Sequence, residues 1–285
     1  MKIAYVTGFD DPNDPDPDLD IPFAITACKD LEIDLHLVNW QDNSVDWFSF
    51  DAALIRSTWD YVPLREKFVN WAKETQNKTR LFNSSEIVAW NTDKIYLKEL
   101  EKRNVPIIPT KFCSNIIEAE KQIQWTFSLS QNIALKPSIG AGARLAGKAS
   151  TNDEAIKLAY KILENRREIM VQPYIDSVDS EGEKAIVVID GELSHVARKV
   201  PALTKGGHGD AAGKAEIDSE IEKIFAQVKN ALPFWDELLY ARIDVVRDDN
   251  RLVLMELELT EPWLFMQYKP DSAHKLFRAL LQRIN

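Results

Sequence analysis

The sequence predicts an α/β (α+β) fold in which a parallel sheet comes first and antiparallel strands follow. Three observations carry this. Short apolar strands alternate with helical stretches from Lys2 to Trp71, the pattern of βαβ crossovers. Two hairpin signals come late, Asp190-Gly191 and the polar run Arg247–Asn250, each between strand-like segments. Between these regions lies the glycine-rich stretch SIGAGARLAG, from Ser138 to Gly147.

In order, Lys2–Thr7 reads as a buried first strand, and the loop Asp10–Asp18, with prolines at 12, 15 and 17, can continue neither helix nor strand. Residues 21–32 read as a helix, Leu35–Trp40 as a second strand and Ala52–Arg56 as a third. Ligands of open parallel sheets bind at the strands' carboxyl ends. There the loop Arg56-Ser57-Thr58-Trp59-Asp60-Tyr61 leads into a helix running through Trp71. Arg56, Ser57 and Asp60 are candidates to grip a charged small substrate; Arg56 and Asp60 pairing at a capped helix start is the competing reading.

Asn83–Leu100 reads as two helices broken near Asn91-Thr92, with Lys94 in the first turn of the second. Pro106 and Pro109 mark a boundary, so domains of 1–104, 105–175 and 176–285 are expected. Ile133–Pro137 is a strand carrying Lys136 directly before Gly140, Gly142 and Gly147. Amides of such a loop can point at phosphate oxygens, although the spacing matches neither GxxxxGK[ST] nor GxGxxG, and a plain turn between hairpin strands stays open. Residues 152–164 form an amphipathic helix, and Ile169–Ile175 a strand whose Pro173 costs one ladder bond, as at a hinge or edge. Strands AIVVI and LSHVARKV flank Asp190-Gly191, the second ending in Arg198 and Lys199. The loop 205–214 is basic and glycine-rich, residues 216–232 are a helix, and residues 272–283 close the chain as another.

The 285 residues suffice for a sizeable core and two or three subdomains. Apolar content of 45% and charged content of 28% are ordinary for a globular protein. A net charge of -10 argues against a nucleic-acid partner, and no apolar run is long enough to span a bilayer. The start lacks a signal-peptide core, and Cys28 and Cys113 have no metal-ligand spacing, so a cytoplasmic location is expected. Oligomeric state stays open. His195 reads as structural rather than catalytic.

The chemistry concentrates in Leu239–Pro262. Strand parity puts Ala241, Ile243 and Val245 on an apolar face, joined across the hairpin by Val253, Met255, Leu257 and Leu259. The opposite face carries Arg242, Asp244, Glu256 and Glu258. A turn centred near Asp249 sets Arg242 opposite Glu256 and Asp244 opposite Leu254. Three clustered carboxylates repel one another unless a cation sits among them, and oxygen-only ligands suit Mg²⁺ or Mn²⁺. A solvated outer face of the sheet is the alternative.

Taken together, Lys136 before the glycine loop, MVQPYI, the GEK strand, RID and MELEL resemble the ATP-grasp superfamily. RSTWDY, WNTDKIYLKEL, LKPSIGAGA, DGELSHVARKVPA and MELELTEPWLF are similar to its branch of O-ureido-serine cyclo-ligases and glutathione-synthetase-like ligases. The resemblance spans essentially the whole chain. It implies an ATP-grasp fold: an N-terminal parallel-sheet pre-ATP-grasp domain, a small lid, and an antiparallel catalytic subdomain, with ATP between the last two.

Carried over position by position, Lys94 and Lys136 would lie on the nucleotide phosphates, under a lid formed by the Gly140–Gly147 loop. Gln172, Tyr174 and Ile175 would hold adenine, and Glu183, or Asp179 in its place, the ribose. Asp244, Glu256 and Glu258 would bind Mg²⁺ or Mn²⁺. Arg242, with Lys136 and Arg198, would form the catalytic group that stabilises an acyl-phosphate or tetrahedral intermediate. Two departures touch the acceptor end: the glycine loop lacks the usual Thr, and Lys205–Gly209 replaces an arginine-bearing segment. The resemblance implies an ATP- and Mg-dependent carboxylate–amine ligase acting on an amino acid or small peptide, intramolecularly or between molecules. A silent nucleotide-binding regulator and a small-molecule kinase are the alternatives.

Overall fold

The computed structural model describes residues 1–9, 17–200, 203 and 211–284; most of the acidic proline-rich loop and all of the Lys205–Gly209 segment lie outside the described residues. The first sheet takes β1 (Lys2–Thr7), then α1 (Ile21–Asp30), β2 (Asp34–Asn39), β3 (Ala52–Ile55), α2 (Arg65–Gln76) and β4 (Arg80–Phe82). Its strand order is β2-β1-β3-β4, all parallel. β1 is apolar without alternation because both faces are covered. Ile3 and Tyr5 pack with Ala24, Ala27 and the C-terminal helix, whereas Ala4 and Val6 pack with Trp40, Trp47 and Phe68.

α3 (Ser85–Asn91) and α4 (Tyr96–Lys102) follow, capped at Ser84 and broken at Thr92. Lys94 falls in the turn between them rather than in the second helix. The small sheet comprises β5 (Lys111–Cys113), β6 (Ile133–Pro137), β7 (Gly147–Ala149) and β8 (Ile169–Pro173), in the order β5-β8-β6-β7. α5 (Ile116–Phe127) and α6 (Asn152–Glu164) cover one side of it through Ala119, Ile123, Ala155, Ala159 and Ile162. Thr151 caps α6 on the Glu154 amide while the Glu154 side chain accepts from Ser150 N, a reciprocal cap. β8 stops at Pro173, short of the expected Ile175, because proline has no N–H to continue the ladder. The glycine loop joins β6 to β7, which pair antiparallel, so it is a hairpin connection.

After the short α7 (Ser177–Glu181), β9 (Glu183–Ile189), β10 (Glu192–Lys199) and β11 (Ala211–Ala215) lead into α8 (Ser219–Ala231). Then come β12 (Tyr240–Asp248), β13 (Arg251–Glu258) and α9 (Asp271–Ile284). The sheet order is β11-β10-β9-β12-β13, antiparallel throughout. One face packs on α8 through Ile221, Ile224 and Val228; the other shares Ala185, Val187 and Tyr240 with α9 and the first sheet. Among the described residues no helix is long and apolar enough to cross a membrane.

The β12–β13 register departs from the expected one. Arg242 lies opposite Glu258 and Asp244 opposite Glu256, while Val245 meets Leu254. Met255 is therefore an extra residue, a bulge that resets parity along β13. Leu252 and Leu254, not Val253 and Met255, share the core with Ile243, Val245 and Leu257. Val253 and Met255 turn instead toward Ile108 and Val178.

Candidate active site

A cleft of about 850 Å³ opens between the small sheet, the large sheet and the loop that follows β3. Its floor is the polar face of β12 and β13, and the bulge brings Met255 and Glu256 both into its lining. Arg242 grips Asp244 in a two-pronged contact, Nε to Oδ1 at 2.8 Å and Nη2 to Oδ2 at 2.9 Å. The same guanidinium donates to Glu258 and, from Nη1, to Trp263 O at 3.1 Å. Burial pushes the Asp244 carboxyl up, but Arg242 and Lys199 outweigh it and hold the group well below its ordinary value. Glu258 goes the other way, raised by burial and by Asp244 and Glu256, because it shares Arg242 with a better-placed partner.

Lys199, absent from the sequence-derived set, enters the cleft at the end of β10. Its ammonium lies 2.8 Å from Asp244 Oδ2 and 2.9 Å from Glu183 Oε2. Arg198, expected among the catalytic residues, is exposed and does not line the cleft. Strand alternation decides this: consecutive residues point to opposite faces, and only one can turn inward.

Lys94 reaches the cleft from the turn before α4, where its backbone N–H donates to Ser138 O at 2.8 Å. Its ammonium spans Glu256 Oε1 at 3.0 Å and Gly140 O at 2.6 Å, tying the glycine loop to the floor. Lys136 also lines the cleft, but no hydrogen bond or ion pair engages its ammonium among the described residues. Burial lowers its pKa, with Glu256 and Glu183 opposing. An apolar end is walled by Ile108, Ala134, Tyr174, Ile175, Val178 and Met255. Gln172 donates to Thr110 Oγ1 at 2.7 Å there. Glu183 lines the same end, whereas Asp179 is taken up by the Tyr174 hydroxyl and, at 3.2 Å, by Lys148. Gly140 and Gly142 form the rim; Gly142 adopts φ +61°, which favours glycine.

The expected substrate trio lies elsewhere. Arg56 is 2% exposed and bonds Asp20 Oδ2 at 3.2 Å and Pro262 O at 2.7 Å, outside the cleft lining. Asp60 does not pair with it. Its carboxylate accepts from Phe9 N at 2.9 Å, Trp40 Nε1 at 2.8 Å and Gln41 Nε2 at 2.6 Å. Ser57 presents its carbonyl to Gly8 N at 2.7 Å. These residues fasten the first sheet's loops together, where buried polar groups need partners. Their neighbours Trp59 and Tyr61 line the cleft instead. Trp59 Nε1 donates to Glu261 O at 3.0 Å, and the Tyr61 hydroxyl is an electrostatic neighbour of the Glu261 carboxylate.

Residues 94–269 match the family model described as "Prokaryotic glutathione synthetase, ATP-grasp domain". The chain belongs to the ATP-grasp family. Residues 3–83 match a second model, "D-cycloserine synthetase DcsG, N-terminal domain". The cycloserine biosynthesis protein DcsG of Streptomyces lavendulae is 27% identical over 286 residues, covering 94% of each chain. A tetrahydromethanopterin:alpha-L-glutamate ligase of Methanocaldococcus jannaschii is 27% identical over 65% of this chain and 64% of its own length. The crystal structure of D-cycloserine synthetase DcsG superposes with a TM-score of 0.90 at 26% identity, covering both chains in full. D-alanine–D-alanine ligase from Bacillus anthracis shares the ATP-grasp fold, with a TM-score of 0.67 at 14% identity over 100% of this chain and 97% of its own.

Oxygen-only donors on the cleft floor fit a hard divalent cation. Glu256 and Glu258 both line the cleft, and the crowding that raises Glu258 is what a bound cation relieves. Among the described residues no three ligating side chains converge into a ready-made cage, since Lys199, Arg242 and Lys94 each hold a carboxylate.

Proposed function

We propose that this chain is an ATP-dependent carboxylate–amine ligase acting on an amino-acid-like substrate. One observation carries the reading: a single cleft gathers Lys94, Lys136, Lys199 and Arg242 against Glu183, Glu256 and Glu258, beside an apolar pocket. A carboxylate is a poor acyl donor, and phosphorylation by ATP turns one of its oxygens into a leaving group. The transfer needs positioning and stabilisation of charge more than covalent help from the protein.

In this reading Gln172, Tyr174 and Ile175 hold the adenine and Glu183 the ribose. Lys136 and Lys94 take the phosphates, Lys94 exchanging its present contacts for phosphate oxygens. Arg242 meets the charge that develops at the acyl carbon, and Asp244 keeps its guanidinium in plane. Glu256 and Glu258, with Asp244 behind them, would hold Mg²⁺ or Mn²⁺, which would spread the negative charge of the phosphates. Residues 1–104 would carry substrate loops, 105–175 the lid and 176–285 the catalytic floor. The full-length similarity to a D-cycloserine synthetase favours a ring-closing reaction as a second reading within the same chemistry. A panel of amino acids assayed for ATP-dependent ADP release, with hydroxylamine to trap the acyl-phosphate as a hydroxamate, tests the proposal. No amino acid yielding ADP and hydroxamate overturns it.

A further inference from the structure

Five carboxylates converge on this cleft and its floor, and four of them have a cation of the protein within ion-pair distance. Glu183 has Lys199 at 2.9 Å, Asp244 has Lys199 and Arg242 at 2.8 Å, Glu256 has Lys94 at 3.0 Å, and Glu258 has Arg242. The fifth, Glu261, forms no ion pair among the described residues, although it lines the same cleft. A carboxylate that is partly buried without a cation is costly unless a ligand supplies one.

Glu261 is also held in place. Its backbone carbonyl accepts from Trp59 Nε1 at 3.0 Å, and the Tyr61 hydroxyl is an electrostatic neighbour of its carboxylate. Trp59 and Trp263 meet edge to face at 6.1 Å, and with Tyr61 and Phe265 they give the surrounding wall an aromatic lining. An anion set among aromatic faces is a receptor for an organic ammonium.

Resting on the ligase reading above, we infer that Glu261 seats the ammonium group of the amine acceptor and takes its proton. The amine lone pair then attacks the acyl-phosphate carbon. The C–N bond forms, the C–O bond to phosphate breaks, inorganic phosphate leaves with the electron pair and takes the second proton of the attacking nitrogen, and the first proton stays on the Glu261 carboxyl. The charged and titratable neighbours are Tyr61, Lys94 and Glu256, and Glu258 and Arg242 line the same cleft. Burial, with Glu256, raises the carboxyl to about 7 against the opposing pull of Tyr61 and Lys94, which suits a base working near neutrality.

Hydroxylamine separates this role from a structural one. An amino acid enters with its amine protonated at neutral pH, whereas hydroxylamine is largely uncharged there and has no proton to give up before attack. The native protein is assayed with ATP and the amino acid that supports turnover, and with hydroxylamine as alternative nucleophile. If it makes neither product, the ligase reading itself fails. Given a working native enzyme, Glu261→Gln, which is isosteric, should lower kcat/KM for the amine about a hundredfold or more relative to hydroxylamine. Glu261→Asp should fall between the two. An equal loss with both nucleophiles, or no loss with either, overturns the assignment.

Discussion

The ammonium of Lys199 lies 2.8 Å from Asp244 and 2.9 Å from Glu183, bridging β12 to the start of β9. Burial works to lower its pKa, but Asp244 and Glu183 prevail and raise it, so the lysine stays charged in the protein interior. Removing one member of such a network leaves the others uncompensated. Lys199→Met should therefore cost about 3 kcal/mol of stability, read as a lower denaturation midpoint in the absence of nucleotide. A variant as stable as the native protein would show that Arg242 alone satisfies Asp244.

Lys136 behaves oppositely. No protein group engages its ammonium among the described residues, and burial pulls its pKa down, so the charged form gains nothing from the fold. Lys136→Ala should leave stability within about 1 kcal/mol of native. A charge-assisted contact to phosphate is worth about 1.5–3 kcal/mol, so ATP binding should weaken about ten- to a hundredfold. Calorimetric titration with nucleotide checks both, and unchanged affinity would remove Lys136 from the phosphate site.

Much of this architecture was legible from periodicity. Alternation of apolar strands with helices gave the parallel sheet, and the amphipathic pattern of 152–164 matched α6 residue for residue. Two of the differences turn on a single residue of phase. Met255 shifts β13 by one position and moves Val253 to the other face, and nothing in the composition of LVLMELEL marks where the bulge falls. Arg198 and Lys199 differ only in phase, and it is Lys199 that turns into the cleft. Arg56 reads as a substrate residue at a strand end because Asp20 and Pro262, its partners, are distant in sequence. α5 escaped notice, although Asn115 and Glu118 form a usable start signal. Glu261 had no sequence signal beyond its place after the acidic strand.

Arg56 gives a third prediction. Its guanidinium is buried against Asp20, which also accepts from Leu264 N at 2.7 Å and Met266 N at 2.9 Å. Arg56→Met leaves a buried carboxylate without its cation and should destabilise the protein by about 3 kcal/mol. Nη2 alone donates to both Asp20 and Pro262 O, so Arg56→Lys, which keeps the charge, should cost less. Because Arg56 does not line the cleft, the KM for the amino-acid substrate should stay near native in whatever fraction remains folded. A selective rise in KM at native stability would restore Arg56 to the substrate site.

His195 sets a pH dependence of stability. Its Nε2 lies 3.0 Å from Leu264 O and 3.2 Å from Phe265 O, so that nitrogen carries the proton and the buried ring is neutral. Burial lowers its pKa to about 4, against the ordinary 6.5. Below pH 6.5 the unfolded chain binds a proton that the folded chain refuses, so stability falls with pH until about pH 4. The gap of 2.5 pH units corresponds to about 3 kcal/mol. Equilibrium unfolding at pH 7, 5.5 and 4 should show this slope, and His195→Gln should flatten it. A slope identical in the two proteins would assign the acid sensitivity to other groups.

Glu256 offers the sharpest test of the cleft floor. Its carboxylate holds Lys94 at 3.0 Å, and Lys94 in turn holds the Gly140 carbonyl at 2.6 Å. Glu256 thus restrains the lysine that the ligase reading assigns to the phosphates. With Mg²⁺ and ATP present, the same carboxylate would turn to the metal. Glu256→Gln keeps the shape and a hydrogen-bond acceptor for Lys94 but removes the charge that a hard cation needs. The apolar side of β13, with Leu252, Leu254 and Leu257, is untouched, so the thermal midpoint should move little. Turnover should fall by about a hundredfold or more at ordinary Mg²⁺, an electrostatic loss of about 3 kcal/mol in the transition state. A steady-state titration of Mg²⁺ on both proteins reads this directly. If the variant reached the native rate at saturating Mg²⁺ with an unchanged half-point, Glu256 would be only a partner of Lys94 and the metal would lie elsewhere.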